Sequence, residues 1–188
     1  GSGAGKTTML NVLSNFIPQD QRVVSIEDIA ELQLKGRHIV RMEARPANIE
    51  GKGEINIRKL LKNALHMRPD RIIVGEVRSS EILDMLQAMT TGHEGSMATV
   101  HANSALEALD RLEILTLMDN PNFSSSVAKR HIISAIDIIA HMIRLPDGSR
   151  KVSQISEVDK ENRNDFKLQD IFYAGDNNGF EMKFTGNI

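Results

Sequence analysis

Apolar and polar positions along the chain follow two alternating rhythms. Short β-branched runs at residues 22–26 (RVVSI), 71–74 (RIIV) and 96–100 (SMATV) alternate with segments whose apolar residues recur every three or four positions. That alternation is the mark of an α/β layered fold, and the unbroken RIIV run reads as a strand buried on both faces. The spacing predicts a first helix over residues 8–16, with Met9, Leu10, Val12, Leu13 and Phe16 on its apolar positions. A second covers residues 57–67, with Leu60, Leu61, Ala64 and Leu65 on one face, and Pro69 and Asp70 stop it. A third, capped by Ser80, turns Leu83, Leu86 and Met89 inward and ends near Gly92. Further helices follow over residues 104–118 and 124–135. Between the first two helices, residues 32–56 mix glycine, proline and charge, which predicts a short antiparallel excursion followed by a long loop.

From residue 136 the texture changes. Residues 138–145 and 152–158, joined by Pro146-Asp147-Gly148-Ser149, read as a β-hairpin, and residues 166–173 as a third antiparallel strand. The last fifteen residues are rich in glycine and asparagine and are expected to be poorly ordered. The chain therefore divides into an α/β core over residues 1–135 and a small β-rich element of the same domain over residues 136–188.

Composition narrows the function classes. With 188 residues, 40% of them hydrophobic, the chain can bury one sizeable core. Its net charge of -2, one tyrosine and no tryptophan argue against nucleic acid as a partner. The absence of cysteine excludes disulfides and thiolate metal sites. No apolar run approaches the roughly 20 residues that direct membrane insertion requires. The chain opens at Gly1 in the middle of a motif, and reads as a fragment of a longer protein.

That motif is Gly1-Ser2-Gly3-Ala4-Gly5-Lys6-Thr7-Thr8. A phosphate-binding loop needs a glycine, four residues, then Gly-Lys-Ser/Thr; Gly5, Lys6 and Thr7 supply the end, and the first glycine falls one position before Gly1. Closely spaced glycines let backbone N–H groups turn inward around a phosphate, and the helix that follows directs its positive end at the same anion. Lys6 would reach the β- and γ-phosphates, and the Thr7 hydroxyl would ligate magnesium.

Polar residues also terminate the predicted strands. Glu27 and Asp28 follow RVVSI, Glu76 follows RIIVG, and His101 follows SMATV. Ligands of open α/β sheets collect at the carboxyl ends of strands, so these positions would converge on one nucleotide.

Three of these segments resemble the motifs of the hexameric ATPases of type II/type IV secretion and pilus assembly. SIEDIAEL is similar to their acidic box, RPDRIIVGEVR to their atypical Walker B, and TTGHEGSMATVHANS to their histidine box. The longer stretch VRMEARPANIEGKGEINIRKLLKNALHMRPDRIIVGEVR resembles the CpaF-like branch that assembles tight-adherence (Flp) pili.

The resemblance implies a RecA-like P-loop core, here with its first strand truncated, that hydrolyses ATP with Mg2+. It implies a homo-hexamer at the cytoplasmic face of the inner membrane, working on pilus or secretion platform proteins. Conjugative type IV secretion, an archaeal relative and a RecA-like DNA translocase are the alternatives. Glu27 and Glu76 share the carboxylate chemistry; Glu27 is favoured for polarising water and Glu76, with Thr7, for the metal, although the sequence leaves the base role open. His93 and His101 would sense or position the γ-phosphate. Arg41 and Arg45, four apart in a predicted loop, would contact the γ-phosphate from the same or a neighbouring subunit. The fragment itself is expected to bind ATP weakly and turn it over poorly.

Overall fold

The computed structural model describes residues 3–174 and 182–186. They form an α/β arrangement that divides into two compact units, residues 7–100, and residues 1–6 together with 101–188.

The first unit holds α1 (Lys6–Ser14, whose first residue belongs to the second unit), β1 (Arg22–Glu27), β2 (His38–Glu43), α2 (Ile57–Leu65), β3 (Arg71–Val74), α3 (Glu81–Thr90) and β4 (Met97–Ala98). Its strands form a parallel sheet in the order β2-β1-β3-β4. β1 and β3 are central, and Val24, Ile26, Ile72, Ile73 and Val74 are fully buried, as strands covered on both faces must be. α2 lays Ile57, Leu60, Leu61 and Ala64 inward, and the Asn56 side chain caps it by accepting from the Lys59 N–H at 3.0 Å.

Several expectations change here. Residues 38–43 are not an antiparallel excursion: β2 pairs parallel with β1, Arg22 opposite His38 through Glu27 opposite Glu43. The connection between them carries Leu32 and Leu34, which bury beside Leu10, Ile17 and Val23, so the chain returns along the sheet before pairing. Within residues 32–56 the antiparallel pairing is one bridge beyond β2, between Arg45 and Ile55. In α1, Leu10 is buried, but Val12 and Leu13 are exposed and Phe16 is 81% exposed; the inward positions are Leu10, Ser14 and Ile17 just beyond the helix. α3 buries Ile82, Met85 and Leu86, while Leu83 and Met89 are half-buried. Ser80 makes no side-chain cap; Glu81, itself in the first turn, accepts from the N–H groups of Arg78 and Ser79 instead.

The second unit holds α4 (Ala105–Asp119), α5 (Ser125–Ala135), β5 (Ile138–Arg144), β6 (Arg150–Val158), β7 (Leu168–Ala174) and β8 (Met182–Phe184). The strands form an antiparallel sheet in chain order, β5-β6-β7-β8, so the predicted hairpin and third strand are present. β8 adds a strand within the tail where poor order was expected; the remainder of that tail, residues 175–181 and 187–188, lies outside the described residues. Ser104 and Ser124 cap α4 and α5 through their hydroxyls.

Candidate functional site

The glycine turn is built by backbone chemistry. Gly3 and Gly5 sit at φ +72° and +94°, a region that only glycine enters without strain, with buried Ala4 between them. At Gly3 a Cβ would meet nothing, so its dihedral alone requires glycine. At Gly5 the dihedral again requires glycine, and a Cβ there would also stand 3.2 Å from Arg150 Cδ, pressing that stem aside by a few tenths of an ångström. α1 begins at the next residue, Lys6, so its unsatisfied N–H groups open toward the turn. Gly1 and Ser2, also assigned to this loop from the sequence, lie outside the described residues.

Lys6 Nζ approaches His101 Nδ1 at 3.4 Å, within the unit that carries both. An ammonium has no lone pair, so this contact requires an unprotonated Nδ1 on His101 and leaves its Nε2 carrying the proton. His101 is exposed, not a core histidine. Thr8 is exposed as well.

In the other unit, Thr7 Oγ1 donates to Glu31 Oε2 at 3.4 Å, a partner the sequence reading missed. Glu27 ends β1 and is 4% exposed; its Oε1 accepts from the N–H groups of Glu31 at 3.0 Å and Leu32 at 2.8 Å. Those bonds shape the turn after β1 in the manner of a cap, and they offset the cost of burying the carboxylate. Gly75 lets the two strand ends approach: its N–H donates to Ile26 O at 2.9 Å, and a Cβ there would stand 3.1 Å from Glu27 Cγ.

Glu76 follows β3, and its Oε2 accepts from Arg78 Nη2 at 2.6 Å, while Arg78 Nη1 lies 3.3 Å from Asp28 Oδ2. The Glu76 hydrogen bond, then its charge, holds the Arg78 guanidinium above its ordinary range. Arg78 thus clasps the residues that follow β1 and β3; pairing of Glu76 with Arg78 is the structural alternative the sequence also offered for Glu76, whereas the Asp28 contact joins segments that no local pattern links. The turn behind it is fixed by Glu81, which accepts from Ser79 N at 2.9 Å and Ser79 Oγ at 2.8 Å. Burial raises the Glu81 carboxyl, but the N–H groups of Arg78 and Ser79 outweigh it, and the group titrates below the usual glutamate range.

His93 Nδ1 lies 3.2 Å from Ala88 O, at the carboxyl end of α3. A carbonyl only accepts, so His93 carries its proton on Nδ1, the opposite tautomer from His101. The arginines are not a loop pair: Arg41 lies within β2 and donates through Nη2 to Leu34 O at 3.0 Å. Arg45 donates through Nε to Gly53 O at 2.9 Å and closes the neck of the 45–55 loop. Among the described residues no group of three or more His, Cys, Asp or Glu could hold a metal. No helix among them is long and apolar enough to cross a membrane.

Comparison with known proteins gives these residues a context. A family profile described as Type II/IV secretion system protein matches residues 1–174. A putative conjugal transfer protein of Mycobacterium tuberculosis is 42% identical over 156 residues, 83% of this chain and 44% of that protein. The conjugal transfer protein TrbB of Rhizobium radiobacter is 35% identical over 172 residues, 90% of this chain and 50% of that protein. Among solved structures, the VirB11 ATPase from the Brucella suis type IV secretion system superposes with a TM-score of 0.75 at 28% identity, covering 87% of this chain and 47% of that one. The chain therefore spans about half the length of the relatives it matches.

Proposed function

The chain belongs to the type II/IV secretion system protein family, and from that premise we propose that it is the ATP-hydrolysing part of an envelope motor. The carrying observation is the glycine turn, left-handed at Gly3 and Gly5, that feeds Lys6 into the first position of α1. This cradle fits a polyphosphate: it offers N–H donors, a helix N-terminus and a lysine at one place. The donor set suits magnesium as well. Thr7 and Glu76 offer hard oxygens without a full protein cage, and Mg2+ keeps waters and phosphate oxygens for its remaining positions. When bound, the ion neutralises charge that develops on the phosphates.

The other residues keep the roles that the family resemblance implies, and the geometry supports some of them. Glu27 is favoured for polarising the attacking water, because backbone N–H groups fix its Oε1 while Oε2 has no bond among the described residues. His101 keeps a proton on Nε2 when neutral and can donate to a phosphate oxygen; neutral His93 can only accept there. Arg41 and Arg45 remain assigned to γ-phosphate contacts, although each already donates to a backbone carbonyl.

In this reading six copies form a ring at the cytoplasmic face of the inner membrane, where each turnover moves a pilus or secretion platform. The Flp-pilus motif likeness favours pilus assembly. The identity to conjugal transfer proteins supports conjugative type IV secretion as a second reading. Lys6→Ala in the full-length protein should reduce ATP turnover by at least about a hundredfold, since the γ-phosphate loses its fixed cation. Steady-state ATPase assay of the purified assembly decides it; turnover close to wild type would refute the phosphate-loop assignment.

A further inference from the structure

Resting on the ATP-binding reading above, we propose that Arg150, carried by the β5–β6 hairpin, is a phosphate-contacting residue of the nucleotide site. The sequence reading passed over this arginine because it lies in the C-terminal β element, far along the chain from the glycine turn. The structure brings them together within one unit. Arg150 Cδ lies 3.2 Å and its Cβ 3.6 Å from where a Gly5 Cβ would stand, with Met142 Cε also at 3.6 Å. The arginine stem therefore lies along the last glycine of the phosphate turn, which keeps its guanidinium within one side-chain length of that turn.

Two observations point to an anion as its partner. No hydrogen bond or ion pair engages the exposed Arg150 guanidinium among the described residues. Its cross-strand partner in the β5–β6 register is a second arginine, Arg144, and Lys151 follows it. Like charges directly opposite one another on an antiparallel pair are destabilising, so the protein alone offers no reason for this pairing. Oδ1 of Asp147, the carboxylate of the same turn, accepts from the Ser149 N–H at 2.9 Å and hydroxyl at 2.7 Å, and no ion pair joins it to Arg150 among the described residues. A bound polyphosphate would offset the repulsion. A guanidinium suits it better than an ammonium, because its planar fork bonds two phosphate oxygens at once. Position on a strand adds preorganisation, since Arg150 opens β6 and its backbone is fixed by the hairpin.

A rival role for the stem, plain packing on Gly5, is separable by chemistry. Arg150→Met keeps the aliphatic cover and removes the charge, while Arg150→Lys keeps a charge and loses the fork. Calorimetric affinity for ATP and ADP would be measured on full-length wild type, Arg150→Met, Arg150→Lys and Lys6→Ala. Arg150→Met should weaken binding of both nucleotides about ten- to a hundredfold, with partial recovery in Arg150→Lys. The deficit should shrink as salt rises, because salt also weakens the wild-type contact. Wild-type affinity in Arg150→Met would overturn the proposal and leave only packing. If Lys6→Ala loses affinity while Arg150→Met does not, this proposal alone falls. If wild type binds no ATP, the ATP reading falls and takes the proposal with it. Should Arg150→Met fail to fold, Arg150→Gln supports the same comparison, with the same outcomes.

Discussion

A buried carboxylate that shapes a turn, and for which we propose a second role toward a ligand, can be tested for both jobs separately. Glu27 accepts from two backbone N–H groups, and one of them belongs to Leu32, itself buried. Glu27→Ala leaves both donors unsatisfied and should cost about 1–3 kcal/mol in denaturant unfolding. Glu27→Gln retains an oxygen for them, so its unfolding midpoint should stay near wild type. Turnover in that variant should still fall about a hundredfold, because the amide cannot take a proton from water. A Glu27→Gln protein with normal turnover would reduce the residue to a cap. At this scale the sequence pointed to Glu27, Glu76 and His101 as candidates, since each follows a predicted strand and strand ends are where α/β sheets place ligands. It did not reveal Glu31 beside Thr7 or Arg150 against Gly5, because each joins segments that no local pattern links.

Elements were legible in proportion to how far their pattern was local. α2 repeats its apolar residues at helical spacing between an asparagine cap and Pro69, and its buried face is Ile57, Leu60, Leu61 and Ala64. β2 offered no such signal: its pairing with β1 depends on Leu32 and Leu34 burying in the connection, a tertiary fact. α1 misled because apolar residues at helical spacing were taken to point inward, while Val12, Leu13 and Phe16 are exposed. α5 shows an element closed from a distance. Lys160 Nζ donates to Ile133 O at 2.6 Å, Ser134 O at 3.2 Å and Ile136 O at 2.7 Å, satisfying carbonyls at the end of the helix. Lys160→Met keeps the stem and removes these donors. It should lower stability by about 1–2 kcal/mol, read as a shift in the thermal midpoint. An unchanged midpoint would mean that water caps the helix equally well.

In the proposed ring, Arg45 has two places to act, its own subunit or across a boundary. The 45–55 loop is more than a flexible connector. Its neck is closed by reciprocal bonds between Arg45 and Ile55, and its tip by Asn48 Oδ1, which accepts from Glu50 N at 3.1 Å and Lys52 N at 2.8 Å. Arg45 Nε is committed to Gly53 O, which holds the stem while the fork beyond it can meet another charge. Arg45→Ala therefore removes a loop clasp as well as a cation, and loss of activity in that variant alone does not locate where the arginine works. Mixing does. Rings combining Arg45→Ala subunits with Lys6→Ala subunits contain some boundaries where an intact phosphate turn faces an intact Arg45. If the arginine acts across the boundary, those sites regain turnover, and activity should reappear in mixtures of two nearly inactive proteins. A loop that the substitution disorders and that serves only its own subunit could not produce that recovery, because it would remain disordered in the mixed ring. No recovery, in rings shown by mass measurement to be mixed, would confine the arginine's work to its own subunit, where the Gly53 contact already places it.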